Sequence, residues 1–276
     1  PNGMLPVMSA SNPQEYNSSN TYHFEMKQSI PPYLIALAVG NLAFKAIDDR
    51  TGVYAEPSML PSCADELIDM GKMVDAAEEL YGGYDWERFD VIVLPPSFHF
   101  GGMENPRLTF ATPTIIAGDK SLTALIAHEL AHQWFGNKIT CGSWKDIWLN
   151  EGFATYLSGL VVENFETENA FTSWKQSRIN SITAQPSGSV YISNNDTTVA
   201  RVFSSRLSYS KGAMVLHMLR KTLGDDLFFQ SLRNYLSDED LSYSYAKTDD
   251  LKLSLIHISE PTRPERIAFG GLCLKK

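Results

Sequence analysis

Short strand-like runs of apolar residues dominate the first 120 residues, and longer helical periods follow. A continuous apolar run at residues 33–39 predicts a strand, and residues 41–56 predict two short strands around a turn. Residues 64–81 carry apolar side chains at helical spacing, whereas residues 89–94 form an apolar run of strand length that ends at two prolines. We therefore expect several strands with one helix inserted among them.

Two long helices are predicted next, at about residues 121–135 and 151–164, with an irregular loop between them. Residues 1–41 are rich in proline, asparagine and serine and contain short β-type runs. We interpret them as the end of a β domain whose beginning is absent. From Leu253 to Lys276 the chain shows no helical or strand period, and it resembles translated sequencing-adapter read-through. We expect residues 252–276 to be non-native or disordered, with a divergent loop as the alternative.

The composition excludes several classes of protein. Of the 276 residues 43% are hydrophobic and 20% are charged, which favours a folded chain over a disordered one. The 32 acidic residues against 23 Lys and Arg give a net charge of -9, which disfavours nucleic-acid binding. No apolar run reaches the roughly 20 residues that span a bilayer. Three widely spaced cysteines predict neither a disulfide framework nor a thiolate metal site.

The chain begins at Pro1, with neither an initiator methionine nor a signal sequence, so we expect it to be a fragment. The sequence leaves its compartment and its oligomeric state open.

The pentapeptide HELAH at residues 128–132 is the strongest chemical signal. Residues four apart lie on the same face of a helix, so His128 and His132 can direct their imidazole nitrogens at one ion. Neutral imidazole is a common ligand of Zn²⁺. Glu129 follows the first histidine directly, and its carboxylate is suited to act as a general base on a water molecule. Two unrelated histidines four residues apart are the alternative interpretation.

A catalytic zinc site has three protein ligands and one open position. Glu151, eighteen residues after His132, is the candidate for the third ligand. Considered alone, Glu151 would be an acidic residue that interacts with the dipole of a helix N-terminus. Beside a histidine pair that lacks a third ligand, the metal interpretation is favoured.

Three motifs in order, GGMEN at residues 101–105, HELAH and NEG at residues 150–152, make the chain resemble the gluzincin aminopeptidases. This is the family of aminopeptidase N and leukotriene-A(4) hydrolase, and the resemblance extends over residues 1–251. It implies an α+β fold: a thermolysin-like catalytic domain at residues 42–251, with a small β-sheet lobe and a helical lobe that carries the zinc site. Residues 1–41 would be the last strands of a preceding antiparallel β domain.

The resemblance also implies the metal site and the catalytic residues. His128, His132 and Glu151 would bind one zinc ion per chain, and Glu129 would be the general base for a zinc-activated water. Tyr209 corresponds to the family tyrosine whose hydroxyl stabilises the oxyanion.

For the substrate, the resemblance implies peptides with a free N-terminus. Glu104 would bind the α-amino group, and Gly101, Gly102 and Met103 would line the path of the substrate backbone. Glycine permits such close approach because it has no side chain.

The expected activity is therefore zinc-dependent removal of N-terminal residues from peptides. One alternative is a leukotriene-type epoxide hydrolase with aminopeptidase side activity. That activity is associated in the family with an aspartate and a tyrosine eight and five residues before Tyr209, where this chain has Arg201 and Ser204. The other alternative is a catalytically inactive binding homologue, which the intact metal and base positions disfavour.

Overall fold

A computed structural model describes residues 3–98, 101–165, 167–193 and 196–259. Among the described helices, none combines the length and the apolar character needed to cross a bilayer. Most of the predicted tail, residues 260–276, lies outside the described residues.

The chain forms two compact units, which we name the sheet unit and the helix unit. The sheet unit comprises Pro1–Glu79 and Gly83–Gln133, and the helix unit comprises Leu80–Gly82 and Trp134–Lys276.

The described residues of the sheet unit form seven strands. They are Leu5–Met8 (β1), Leu37–Gly40 (β2), Ala43–Ala46 (β3), Thr51–Ala55 (β4), Phe89–Val93 (β5), Gly102–Met103 (β6) and Leu108–Ala111 (β7). Strands β1 and β2 pair antiparallel as a separate two-stranded sheet. The other five form one sheet in the order β3-β4-β5-β7-β6, in which β4, β5 and β7 are parallel and β3 and β6 are antiparallel edge strands.

The three central strands of this sheet are buried over their whole length, as parallel strands covered on both faces are. Tyr54, Ile92 and Phe110 from these strands belong to one apolar cluster that also contains Leu5 and Val7 of β1. Residues on both sides of position 41 therefore contribute to a common core. The predicted strand pair around a turn at residues 48–52 is confirmed by β3 and β4.

Residues 64–81, predicted as one helix, belong to two helices, Leu60–Glu66 (α1) and Met70–Tyr81 (α2). The helical backbone is interrupted at Leu67, which has φ -97° and ψ 16°. The buried carboxylate of Glu66 accepts hydrogen bonds from the backbone N–H groups of Gly118 and Lys120, both at 2.8 Å. The end of α1 thereby fixes the loop that leads to the next helix.

That helix, Ala124–His132 (α3), is shorter than the predicted segment 121–135 because the residues before Ala124 form a turn. It packs against β6 and β7 and therefore belongs to the sheet unit, although the family resemblance assigns the histidine pair to a helical lobe. The contact with β6 is close: a Cβ atom on Gly102 would overlap the carboxylate of Glu129.

The helix unit contains most of the helices. Its elements are Ile139–Cys141 (β8), Trp148–Phe165 (α4), Glu168–Thr183 (α5), Val199–Val202 (α6), a π-helix at Ser205–Lys211, Gly212–Leu223 (α7), Asp225–Ser237 (α8), Ser244–Ala246 (β9) and Thr248–Ser259 (α9). Helix α4 begins three residues before the predicted segment 151–164, and it packs against α5, α7 and the π-helix. Its first thirteen residues are buried, which is typical of a central helix.

Helix α9 includes the first residues of the segment for which the sequence shows no helical period. It runs to Ser259, and Leu251 and Leu255 are both buried. Pro261 lies beyond its end. The foreign origin predicted for residues 252–276 stays a prediction.

Helices α4 and α7 meet at two glycines. A Cβ atom on Gly152 would lie 3.0 Å from the Cα and carbonyl carbon of Gly212. These are backbone atoms of a packed helix, which cannot rotate aside as a side chain can. The close approach of the two helices therefore requires glycine at this position.

We expect Gly152→Ala to lower the free energy of unfolding by about 1–2 kcal/mol in a urea titration. Overpacking costs about 1–3 kcal/mol, and the better helix propensity of alanine returns up to about 1 kcal/mol. Gly83→Ala is the control, because a Cβ atom at Gly83 meets nothing within 4 Å. Equal stability of the two variants would contradict the packing argument.

Candidate functional site

Helix α3 brings the two histidines of HELAH together on one face, as their spacing predicts. The Nε2 atoms of His128 and His132 lie 3.1 Å apart, and the two rings are nearly perpendicular. Two nitrogens bound at 2.0–2.1 Å to one tetrahedral zinc ion are about 3.3 Å apart. The pair therefore fits the coordination of a single zinc ion.

Two carboxylates converge beside this pair. The ligand atoms of Glu104, Glu129 and His132 lie within 4.8 Å of one another. Glu129 and His132 are buried, whereas Glu104 is half-buried. Two carboxylates that differ in exposure are suited to different tasks. The buried one is suited to proton transfer, and the half-exposed one is suited to binding a cationic group from solvent.

The segment from Gly101 to Asn105 holds Glu104 at the edge of the sheet. The carbonyl of Gly101 accepts a hydrogen bond from the N–H of Thr112 at 3.0 Å, and the side chain of Met103 packs against the apolar cluster. On the other side, the carboxamide of Asn105 is buried and donates to the carbonyl of Leu34 at 3.0 Å. Glu104 therefore projects from a backbone that is bound before and after it.

Gln133 is a residue of this site that the sequence analysis missed. Its side-chain Nε2 donates to the backbone carbonyl of Glu104 at 3.0 Å and to that of Glu129 at 3.3 Å. The side chain is fully buried. Its position four residues after Glu129 is the sequence signal that could have found it, because a side chain at that spacing can reach the i−4 carbonyl.

Glu151 lies in the first turn of α4, in the helix unit, and is 7% exposed. This turn is fixed by its neighbours: the side chain of Asn150 accepts a hydrogen bond from the N–H of Cys141, and Trp148 Nε1 donates to the hydroxyl of Thr248, both at 3.0 Å. This location agrees with the alternative interpretation, an acidic residue in the first turn of a helix.

Tyr209 lies in the π-helix, half-buried between the buried residues Ser208 and Ser210. π-helical turns are rare and occur frequently at functional sites. Arg201 and Ser204 both support this turn. Arg201 donates to the hydroxyl of Ser208 at 3.4 Å, and the Ser204 hydroxyl accepts from the N–H of Leu207 at 3.3 Å.

The cysteines of the described residues, Cys63 and Cys141, are not joined in a disulfide. Burial raises the pKa of Cys63 to about 11, so it is protonated at neutral pH. Cys141 packs against an apolar cluster of the helix unit. Cys273 lies outside the described residues.

Comparison with known proteins identifies a family domain that contains the residues of this site. Residues 67–267 match the Peptidase family M1 domain. The chain is 38% identical over 250 residues to leukotriene A-4 hydrolase of Xenopus laevis. The matched region covers 86% of this chain and 41% of that protein. It is 47% identical over 157 residues to aminopeptidase B of Rattus norvegicus, and this matched region covers 56% of this chain and 24% of that protein.

Among solved structures, native yeast LTA4 hydrolase superposes with a TM-score of 0.82 at 34% sequence identity, covering 92% of this chain and 42% of that one. The chain thus spans about two fifths of the length of the frog protein and of the yeast structure. The match to the family domain extends over most of the chain and includes the histidine pair and the three acidic motif residues, Glu104, Glu129 and Glu151. The chain therefore belongs to peptidase family M1.

Proposed function

We propose that this chain carries the catalytic site of a zinc-dependent aminopeptidase that hydrolyses the N-terminal bond of peptides with a free N-terminus. The observation that supports it most directly is an imidazole pair, 3.1 Å apart at Nε2, with the carboxylates of Glu104 and Glu129 within 4.8 Å of a ring nitrogen of His132. Membership of a peptidase family supports hydrolysis of peptide bonds over other uses of the same residues.

In this proposal one zinc ion per chain is held by His128, His132 and Glu151. Two imidazoles and one carboxylate are a common ligand set of catalytic zinc sites in peptidases, which leave the fourth position open. The separation of the two Nε2 atoms supports the fit of the histidines. When bound, zinc supplies a Lewis acid that polarises the scissile carbonyl and lowers the pKa of the attacking water.

Glu129 is the proposed general base. Its carboxylate accepts the proton of the attacking water and then donates it to the leaving amine. Burial and the contact with the Gly102 backbone leave this side chain little freedom to turn away. Such restriction favours proton transfer, because the group is already oriented when the substrate arrives.

Glu104 is the proposed anchor of the substrate α-ammonium group, since a half-buried carboxylate can form an ion pair with a cation that enters from solvent. The substrate backbone would lie along Gly101, Gly102 and Met103. Strand β6 is an edge of its sheet, so one side of it has no neighbouring strand among the described residues. Extended peptides commonly bind along such edges.

Tyr209 is proposed to donate a hydrogen bond from its hydroxyl to the developing oxyanion. The neighbouring Arg201 favours peptide over epoxide hydrolysis, because a cation occupies the position of the family aspartate and its guanidinium donates to the carbonyls of Ser189 and Tyr191. We further propose that residues 42–251 constitute the thermolysin-like catalytic domain and that residues 1–41 are the end of a preceding β domain.

We expect His132→Ala to lose its metal, because one imidazole and one carboxylate are a poor ligand set. Zinc measured by elemental analysis after gel filtration should fall from about one ion per chain to below about 0.2. His217→Ala is the control. Burial lowers the pKa of His217, and its Nδ1 atom lies 3.3 Å from the hydroxyl oxygen of Tyr156, so this histidine has a different partner. Full zinc content in His132→Ala would contradict the ligand assignment.

Glu129→Gln should keep its zinc and lower kcat on leucine p-nitroanilide by about 10²–10⁴-fold, because only the proton-transfer group is removed. Glu79→Gln, an exposed change on α2, should leave kcat unaltered. Unchanged turnover in Glu129→Gln would show that another group is the base. A wild-type protein that binds zinc but turns over no peptide substrate would instead support the inactive binding homologue.

Glu104→Gln should raise KM for leucine p-nitroanilide by about 10-fold or more, because a desolvated charge pair with the ammonium group is lost, and its zinc content should stay the same. The wild-type protein should cleave N-acetyl-leucine p-nitroanilide poorly, since that substrate has no ammonium group. If the acetylated and free substrates are hydrolysed equally well, the amine-anchor role of Glu104 is wrong.

A further inference from the structure

A single nitrogen atom, Nε2 of Gln133, binds the backbone of both carboxylate residues of the site. It donates to the carbonyl of Glu104 at 3.0 Å and to the carbonyl of Glu129 at 3.3 Å. A primary amide has two N–H donors, so both hydrogen bonds can form at once. One side chain therefore links these two stretches of backbone directly.

The two acidic side chains lie close together, with ligand atoms of Glu104, Glu129 and His132 within 4.8 Å of one another. Glu104 is the more exposed of the two carboxylates. It directly follows β6, an edge strand of the sheet, which has a neighbouring strand on one side only among the described residues. Hydrogen bonds from Gln133 restrain this segment through its backbone and do not use the carboxylate of Glu104.

Gln133 is itself rigidly held. It is fully buried, and its backbone carbonyl accepts a hydrogen bond from Trp86 Nε1 at 2.9 Å. Among the described residues its Oε1 atom is buried without a hydrogen-bond partner. Leaving a buried acceptor unsatisfied costs free energy, so an apolar residue would serve a purely structural role better. The amide is therefore explained by what its nitrogen does.

We propose that Gln133 is a positioning residue that sets the distance between the amine-binding carboxylate of Glu104 and the general base Glu129. This inference rests on the function proposed above. This distance has to match the short separation between the N-terminal ammonium group and the scissile bond of a bound peptide. Gln133 thereby makes the site selective for α-amino acids, in which the amine and the carbonyl carbon are attached to one carbon atom.

A β-amino acid carries its amine one methylene group farther from the carbonyl and probes this distance directly. The measurement is the ratio of kcat/KM for L-alanine p-nitroanilide to kcat/KM for β-alanine p-nitroanilide, in the complete zinc-loaded protein. Gln133→Met keeps the length of the side chain and removes both donors. We expect it to lower kcat/KM for the α-substrate by about 10- to 100-fold. The α:β ratio should fall by at least about fivefold, while the zinc content stays at the wild-type value.

Gln28→Met is the matched control. Gln28 also lies in the sheet unit, donates from Nε2 to a backbone carbonyl, that of Asp85, at 2.5 Å, and has a buried Oε1 without a partner among the described residues. Its variant should show the wild-type ratio. Gln133→Leu, which lacks the same donors, replaces Gln133→Met if the latter does not fold.

The possible outcomes separate this inference from the proposed function. If the wild-type protein does not prefer the α-substrate, or if Glu104→Gln does not raise the KM for that substrate, Glu104 is not the amine anchor. This inference then fails together with the proposed function. If wild type behaves as proposed but both substrates lose activity equally in Gln133→Met, the residue is merely structural and this inference alone is overturned. An α:β ratio in Gln133→Met equal to the wild-type ratio would likewise overturn this inference alone.

Discussion

The carboxylate of Glu129 lies where a side chain on residue 102 would be, against the backbone of Gly102. This contact determines how closely α3 approaches β6, and with it the location of every group that α3 carries. Strand β6 is in turn fixed by its antiparallel pairing with β7, a fully buried strand. The geometry of the histidine pair thus depends on the core of the sheet unit, because a rigid helix moves His128, Glu129 and His132 together.

In the helix unit, too, the absence of a glycine side chain allows two elements to approach closely, here two helices. Gly152 and Gly212 bring α4 and α7 into backbone contact, each directly beside a residue or turn with a proposed role. Gly152 follows Glu151, and Gly212 follows the π-helix that contains Tyr209. Hydrogen bonds from Cys141 and Trp148 then fix the first turn of α4. Packing in this unit therefore orients Glu151 and Tyr209, to which we assign roles, as a consequence of stabilising the fold.

The proposed chemistry assigns different tasks to two carboxylates that are close in space. Glu129 is buried and restricted, which suits proton transfer, whereas Glu104 is half-buried at a sheet edge, which suits recognition of an ammonium group. Removal of a single N-terminal residue then depends on a fixed distance between them. Gln133 and Asn105 bind the backbone around Glu104, so in this proposal the selectivity of the site rests on neutral amides as much as on charges.

The sequence by itself determined the features that depend on neighbours along the chain. The i, i+4 spacing of HELAH predicts the shared face of His128 and His132, and alternating or continuous apolar runs predict β3, β4 and β5 closely. Only the tertiary structure decided the interruption of the predicted helix 64–81, the membership of α3 in the sheet unit, and the role of Gln133 in binding the backbone of Glu104. These features depend on which surfaces meet across long stretches of chain, and local periodicity carries no information about such contacts.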